Sequence, residues 1–140
     1  MNDHRVPPKP AHFDTAPEGT CRWCNEKIGL TKTGRESKSR WHPKCVTEYK
    51  MLFHPSTTRR EVWRRDKGVC RGCGAVCARK GAPKWHMDHI IPLIQAKGEL
   101  KYWRLPNLQT LCTPCHSVKT SREATERAVQ RRLLKEKNLK

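Results

Sequence analysis

The sequence of 140 residues is poor in apolar residues and has no long apolar run. Only 35% of the residues are hydrophobic, and the mean hydropathy is −0.90. A core this sparse usually needs a staple such as bound metal, disulfides or a partner. No apolar stretch approaches the roughly 20 residues that span a bilayer, and the N-terminus lacks the apolar core of a secretory signal. These absences predict a cytoplasmic protein with no membrane partner.

Acidic residues are also scarce, since 13 Asp and Glu stand against 30 Lys and Arg and leave a formal net charge of +17. Self-repulsion at this level disfavours a compact state unless a polyanion is the partner. Nucleic acid is the first candidate and an anionic membrane surface the second. The candidate phosphate contacts are Arg59, Arg60, Arg64, Arg65, Lys119 and Arg122. Interspersed Glu residues make the last segment resemble an ordinary charged surface as well, and a merely solvated Lys119 is the alternative there.

Cysteine is not scarce, and four of the eight cysteines form two matched Cys-x2-Cys pairs. These pairs are Cys70 with Cys73 and Cys112 with Cys115. Each tight turn aims two thiolates at one tetrahedral ion, so the pairs predict a closed, structural zinc site. A pair of redox dithiols is the alternative. Cys77 is left over, either as a lone partly buried thiol or as a replacement for Cys73 in the site.

A second ligand set lies nearer the N-terminus, where Cys21 and Cys24 are followed by His42 and Cys45. The spacing is that of a zinc ribbon with His in place of one Cys, and it predicts a second structural zinc in a small finger. A loop with incidental Cys and His is the alternative. The role of this finger stays open between phosphate contacts, binding of a partner and stabilisation of the fold.

The chain divides into three predicted segments. Residues 1–19 are proline-rich and predict a flexible tail. Residues 20–54 hold the finger, and residues 55–140 form a domain with a basic C-terminal helix. Within that domain we expect a short helix over 58–66, a strand over 85–93 and a helix that begins near Thr113.

Between the paired cysteines lie Asp88, His89 and Asn107, and His116 directly follows the last cysteine. With the stretches RREVWRRDKGVCRGC, MDHIIPL, NLQTLC and CHSVKT, these residues resemble the HNH endonuclease family, in its order and spacing. The resemblance covers roughly residues 57–120. It implies a small, zinc-stapled α+β fold: a ββα-metal core of two strands and a helix around one divalent cation, with flanking helices and the N-terminal finger.

The resemblance also implies roles for these residues. Asp88 and His116 would bind the catalytic ion, which is Mg²⁺, Mn²⁺ or another divalent cation, and His89 would activate water. Asn107 would tie its loop to the His89 strand and hold the imidazole in place. Phosphodiester hydrolysis independently favours a histidine base and a cation that polarises the phosphate. A core histidine satisfied by a backbone carbonyl is the alternative for His89.

Strand geometry leaves one ligand open. Neighbouring residues of a regular strand face opposite sides, so Asp88 and His89 can serve one phosphate only if the strand ends, twists or bulges there. The same periodicity places His86 on the side of Asp88 and makes His86 a rival ligand.

The sequence therefore predicts a divalent-metal-dependent HNH endonuclease that acts on DNA and nicks as a monomer, and such compact proteins resemble phage-encoded ones. Its location would then be the host-cell cytoplasm, with a packaging or repair protein as a candidate partner. A non-catalytic zinc module that binds nucleic acid is the rival interpretation, and an adaptor built around the finger is a third. The oligomeric state and the DNA specificity stay open.

Overall fold

A computed structural model describes residues 6–139 and, within them, three α-helices and one two-stranded sheet. The helices are α1 (Pro43–Phe53), α2 (Pro55–Asp66) and α3 (Thr113–Lys137). The strands β1 (Trp85–His89) and β2 (Leu108–Cys112) pair with each other. The predicted small α+β fold class is confirmed.

The elements differ from the sequence expectation mainly at their ends. Helix α2 begins at Pro55, three residues before the predicted start, because proline suits a first helical turn. Strand β1 ends at His89 and not at residue 93. Helix α3 runs without a break for 25 residues. Short 3-10 turns at Leu93–Gln95, Leu100–Trp103 and Leu105–Asn107 occupy the connection from β1 to β2.

The chain forms two compact units. Among the described residues, the first combines 6–61 with His89–Leu108, and the second combines Val62–Asp88 with 109–139. None of the helices in the described range 6–139 is long and apolar enough to span a membrane.

The first unit is built on an aromatic cluster beside the first set of predicted zinc ligands. Phe13, Trp23 and two of the ligand cysteines are buried in it, and Trp41, Tyr49, Phe53 and Leu100 pack against them. Helix α1 contributes Tyr49 and Phe53, four residues apart on one face, with ring centroids 4.5 Å apart. Phe13 stacks on Tyr49 at 5.8 Å, so the proline-rich segment contributes a core residue that its composition did not indicate.

In the second unit, the end of α2 from Val62 onward packs beside the two cysteine turns. Val62 is fully buried, and Trp63 packs on the cluster formed by Cys70, Trp85 and their neighbours. The helix ends at Asp66, and the N–H of Gly68 just beyond it donates to the carbonyl of Trp63 at 3.0 Å. Gly68 has a φ of +69°, and a Cβ there would lie 2.9 Å from the Trp63 indole nitrogen. Glycine is therefore required by both backbone conformation and space.

Asp66 at the end of α2 holds the helix to β2. Its carboxylate accepts from Arg65 Nε at 2.9 Å and from the Thr110 backbone N–H at 2.9 Å, and its side chain is 3% exposed. Burial alone would raise the pKa of Asp66, but the hydrogen bonds from Arg65 and Thr110 outweigh it and lower that pKa below the ordinary 3.8. The charged carboxylate is thus the form that the fold requires.

The two predicted zinc-ligand sets are each drawn together in space. The first ligand group consists of Cys21, Cys24, His42 and Cys45, and the second of Cys70, Cys73, Cys112 and Cys115. Within each group, the four ligand atoms lie within 4.8 Å of one another. Either group could hold zinc. Cys77 lies outside the second group, buried in the adjacent core, where burial and then the charges of Cys70 and Cys112 raise its pKa.

Hydrogen bonds prepare both groups for a cation. His42 Nε2 lies 3.1 Å from the Lys27 carbonyl, which can only accept, so the imidazole presents an unprotonated Nδ1 to Cys24 at 3.3 Å. Burial opposes ionisation of Cys70, yet backbone N–H groups at Cys112, Cys73 and Gly72 lower its pKa to about 6. Hydrogen bonds among the clustered sulfurs, with Cys112 first, instead raise the pKa of Cys115 to about 12. All four sulfurs could therefore ionise together only with a positive ion between them, and zinc binds cysteine in the thiolate form.

Replacement of Asp66 by Asn should destabilise the protein by about 1–3 kcal/mol at neutral pH, because buried hydrogen bonds to a charged group are lost. The folded-state pKa is depressed, so the wild-type advantage exists above the unfolded aspartate pKa of about 3.9 and disappears as pH falls through the folded value. Urea unfolding at several pH values measures this. Asp14→Asn, at a side chain 79% exposed, is the matched control; equal losses from both variants would contradict the prediction.

Replacement of Cys112 by Ser should remove one of two zinc ions per chain, because the second ligand group would keep only three sulfurs. Zinc per chain, measured by atomic emission, should fall from about two to about one with a lower melting temperature. Cys77→Ser is the matched control, since Cys77 is buried but outside the group. Loss of zinc from the control variant, or retention by Cys112→Ser, would refute the assignment.

Candidate functional site

Asp88 is the centre of a polar cluster in the second unit. Its side chain is 12% exposed, and Oδ1 lies 4.0 Å from Nε2 of His116 on the first turns of α3. Its other oxygen accepts from Gln109 Nε2 at 2.9 Å and pairs with Lys119 Nζ at 3.1 Å. The start of α3 and the strand pair thus bring the two predicted ligands together, although they are far apart in sequence.

His86 joins the same cluster by stacking. Its ring lies 4.3 Å from that of His116, with 13° between the planes, and its Nε2 is 3.3 Å from the Thr113 hydroxyl. His86 and Asp88 are two residues apart on β1 and therefore share a face of the strand. His86 therefore lies beside both predicted ligands of the catalytic ion and stays a rival ligand, and it belongs to neither of the two four-residue zinc-ligand groups.

His89 is the last residue of β1 and is half-buried. The strand ends there, which is one of the departures from regular geometry under which Asp88 and His89 can act together. The residues that follow it are Ile90 and Ile91, both exposed at their side chains.

Asn107 lies in the first unit and is 8% exposed. Its side-chain oxygen accepts from the Ile91 N–H at 2.9 Å, and its Nδ2 donates to the Ile91 carbonyl at 3.0 Å. The same Nδ2 donates to the Tyr102 carbonyl at 2.8 Å, and the Asn107 carbonyl accepts from the Ile90 N–H at 2.8 Å. The amide is therefore saturated by backbone groups, and it binds the segment just after His89 to the loop before β2.

The predicted phosphate contacts lie on α2 and α3, and most of their side chains are exposed. Arg59, Arg60 and Arg64 are exposed on α2, and Arg122 is exposed on α3 with a long pair to Glu126 at 3.8 Å. Arg65 differs, since its guanidinium donates twice to Asp66. Lys119 also differs, being 12% exposed and paired with both Asp88 and Glu123.

Two residues of this cluster were missed by the sequence reasoning. Gln109 follows Asn107 by two positions, and the alternation along β2 would have placed it near β1, but no motif marked it. Glu123 is four residues after Lys119, the spacing at which opposite charges pair on a helix. Both hold the charges around Asp88 in place.

The donor set of this cluster fits a divalent cation. Two ligand atoms 4.0 Å apart can share one ion with bonds of about 2.1 Å. One carboxylate and one imidazole leave most of the coordination positions to water and phosphate oxygens, in contrast to the second ligand group with its four sulfurs.

Comparisons with known proteins agree with this geometry. The HNH endonuclease family model matches residues 70–122. A probable HNH endonuclease of Lactococcus phage SK1 is 42% identical over 64 residues, which cover 43% of this chain and 62% of that protein. No solved structure matches the chain.

A second group of relatives consists of larger proteins. The DNA annealing helicase and endonuclease ZRANB3 of Mus musculus is 29% identical over 127 residues, which cover 64% of this chain and 12% of that protein. Its human counterpart is 48% identical over 48 residues, which cover 34% of this chain and 4% of that protein. The chain therefore spans only a small part of the length of these relatives.

The segment matched by the family model begins at Cys70 and ends at Arg122. It contains the second ligand group, the Asp88 cluster except Glu123, and His89 and Asn107. The resemblance seen in the sequence is thereby confirmed, and the family supports a nuclease function on DNA. Residues 70–122 are a domain of the HNH endonuclease family.

Proposed function

We propose that the chain is a divalent-metal-dependent endonuclease that hydrolyses phosphodiester bonds of DNA and nicks one strand as a monomer. The observation that carries this proposal is the approach of Asp88 and His116 to 4.0 Å within the family-matched segment. The relatives named as HNH endonuclease and as DNA annealing helicase and endonuclease point to the same substrate.

In this proposal His89 removes a proton from water, and the resulting hydroxide attacks phosphorus in line. Asp88 and His116 would hold the divalent cation, which would supply polarisation of the phosphate and charge stabilisation at the departing 3′-oxygen. Asn107 keeps the segment after His89 in place through its bonds to Ile91. The products are a 5′-phosphate and a 3′-hydroxyl, and one site per chain cuts one strand at a time.

Binding of the DNA backbone is assigned to the basic side chains of α2 and α3. Arg59, Arg60, Arg64 and Arg122 would contact phosphates without reading bases, so the affinity should fall steeply with salt. Arg65 and Lys119 are each paired with a buried or half-buried carboxylate, so a phosphate would compete with that ion pair. A cytoplasmic site of action and a packaging or repair partner remain parts of this proposal.

Replacement of His89 by Ala should slow nicking of supercoiled plasmid in Mg²⁺ or Mn²⁺ by about 10²–10⁴-fold, the usual contribution of a general base. Nicked circles should appear before linear DNA with the wild-type protein. His54→Ala, at an exposed histidine just after α1, is the control for loss of an imidazole. Equal cleavage by wild type and His89→Ala, or no cleavage by wild type in any divalent metal, would sink the catalytic proposal.

Replacement of Asp88 by Asn should weaken Mn²⁺ binding about tenfold or more, because a neutral amide is a poor ligand for a hard cation. Isothermal titration of the zinc-loaded protein with Mn²⁺ measures this without any cleavage. His89→Ala should bind Mn²⁺ like the wild type, since the proposed base is not a ligand. Weaker Mn²⁺ binding by His89→Ala, with unchanged binding by Asp88→Asn, would instead make His89 the ligand and contradict the proposed roles.

A further inference from the structure

The finger and the loop that carries Asn107 belong to the same compact unit. We use "finger" for residues 20–54 and "connecting loop" for residues 93–107, and both lie in the first unit. Leu100 of the connecting loop packs against the aromatic cluster around Trp23 and Tyr49. The connecting loop therefore rests on the core of the finger.

Glu48 joins the finger to the connecting loop by polar contacts. One carboxylate oxygen accepts from Trp23 Nε1 at 2.9 Å, and the other forms an ion pair with the guanidinium of Arg104. The Glu48 side chain is 33% exposed, so the pair is partly shielded from solvent. Because Trp23 is itself 7% exposed, one end of this bridge is fixed in the core of the finger.

The contacts continue from Arg104 to the segment after His89. The Arg104 carbonyl accepts from the Asn107 N–H at 3.0 Å, and the Tyr102 carbonyl accepts from Asn107 Nδ2 at 2.8 Å. Asn107 in turn binds both the N–H and the carbonyl of Ile91. Every link from Glu48 to Ile91 is thus a hydrogen bond or an ion pair between named atoms.

We propose that the finger positions the active-site segment, and that Glu48 is the positioning residue that transmits this support through Arg104 and Asn107 to the segment beginning at His89. This inference rests on the proposed nuclease function for its consequence in catalysis. The negative charge of Glu48 makes it unsuited to grip a phosphate, so its contacts favour support of the connecting loop over DNA binding at this point of the finger. The zinc of the first ligand group then acts on catalysis indirectly, by holding the finger together.

The test is Glu48→Ala in the full-length, zinc-loaded protein, with nicking of supercoiled plasmid in Mn²⁺ and amide hydrogen exchange as parallel measurements. We expect kcat to fall about tenfold or more, as for small displacements of reacting groups, while KM is unchanged or lower. Removal of an acid raises the net charge and cannot weaken attraction to DNA. Exchange at the Ile90 and Ile91 amides should become faster, because Arg104 loses its ion pair with Glu48 and no longer fixes Asn107.

Glu99→Ala is the matched control. Glu99 belongs to the connecting loop, its side chain is 53% exposed, and its carboxylate pairs with the exposed Lys101 at 2.6 Å. The change in charge is the same, so kcat and amide exchange should stay at wild-type values. Glu48→Gln keeps one acceptor oxygen, so its kcat and amide exchange should lie between those of wild type and Glu48→Ala. If the zinc content shows that Glu48→Ala loses the fold of the finger, Glu48→Gln takes its place in the comparison.

The outcomes separate the two proposals. Unchanged kcat and unchanged exchange in the Glu48 variants would overturn the positioning role, as would equal effects from Glu99→Ala. Faster exchange at Ile90 and Ile91 with unchanged kcat would overturn the catalytic part of the inference. If wild type does not cleave with any metal, the proposed function fails, whereas the exchange measurement still decides whether the finger holds this segment.

Discussion

The convergence of four ligand atoms at one point, repeated in each unit, is the constraint on which the rest of the fold depends. A chain with 35% hydrophobic residues cannot bury enough apolar surface to order long loops unaided. Each ligand group draws together two turns separated by many residues, and the buried aromatic and cysteine clusters form directly around them. The sheet that carries Asp88 and the helix that carries His116 meet where Cys112 and Cys115 lie beside Cys70.

The ligand groups could be predicted from sequence because the geometry of a Cys-x2-Cys turn is local. Gly68 could be predicted for the same reason, since the end of a helix depends on a few neighbouring residues. Asp88, Asn107 and His116 were identified only through the pattern of a family, because their meeting depends on strand pairing over long separations. The family match supports that pattern for residues 70–122, while the chemical role of each residue stays a proposal.

The features that sequence did not indicate are those that join distant segments. Nothing in the composition of the first 19 residues distinguished Phe13 from its surroundings, yet it stacks on Tyr49. In the sequence, Glu48 does not differ from the other charged residues of its helix. Only the structure shows that its two carboxylate oxygens contact Trp23 and Arg104. Strand parity places His86 on the face of Asp88, but parity specifies only a face; the stack of His86 on His116 is a property of tertiary packing.

His89–Leu108 belongs to the first unit although it lies in sequence between the two parts of the second unit, and this limits how the chain can be divided. A single break in the sequence cannot separate the two units, because the first unit would lose a segment that lies between the two parts of the second. Neither unit is contiguous in sequence, and a cut near residue 55 would separate the finger from residues 89–108 of its own unit, while the second unit would keep all of its residues. The finger and residues 89–108 are therefore expected to fold as one piece.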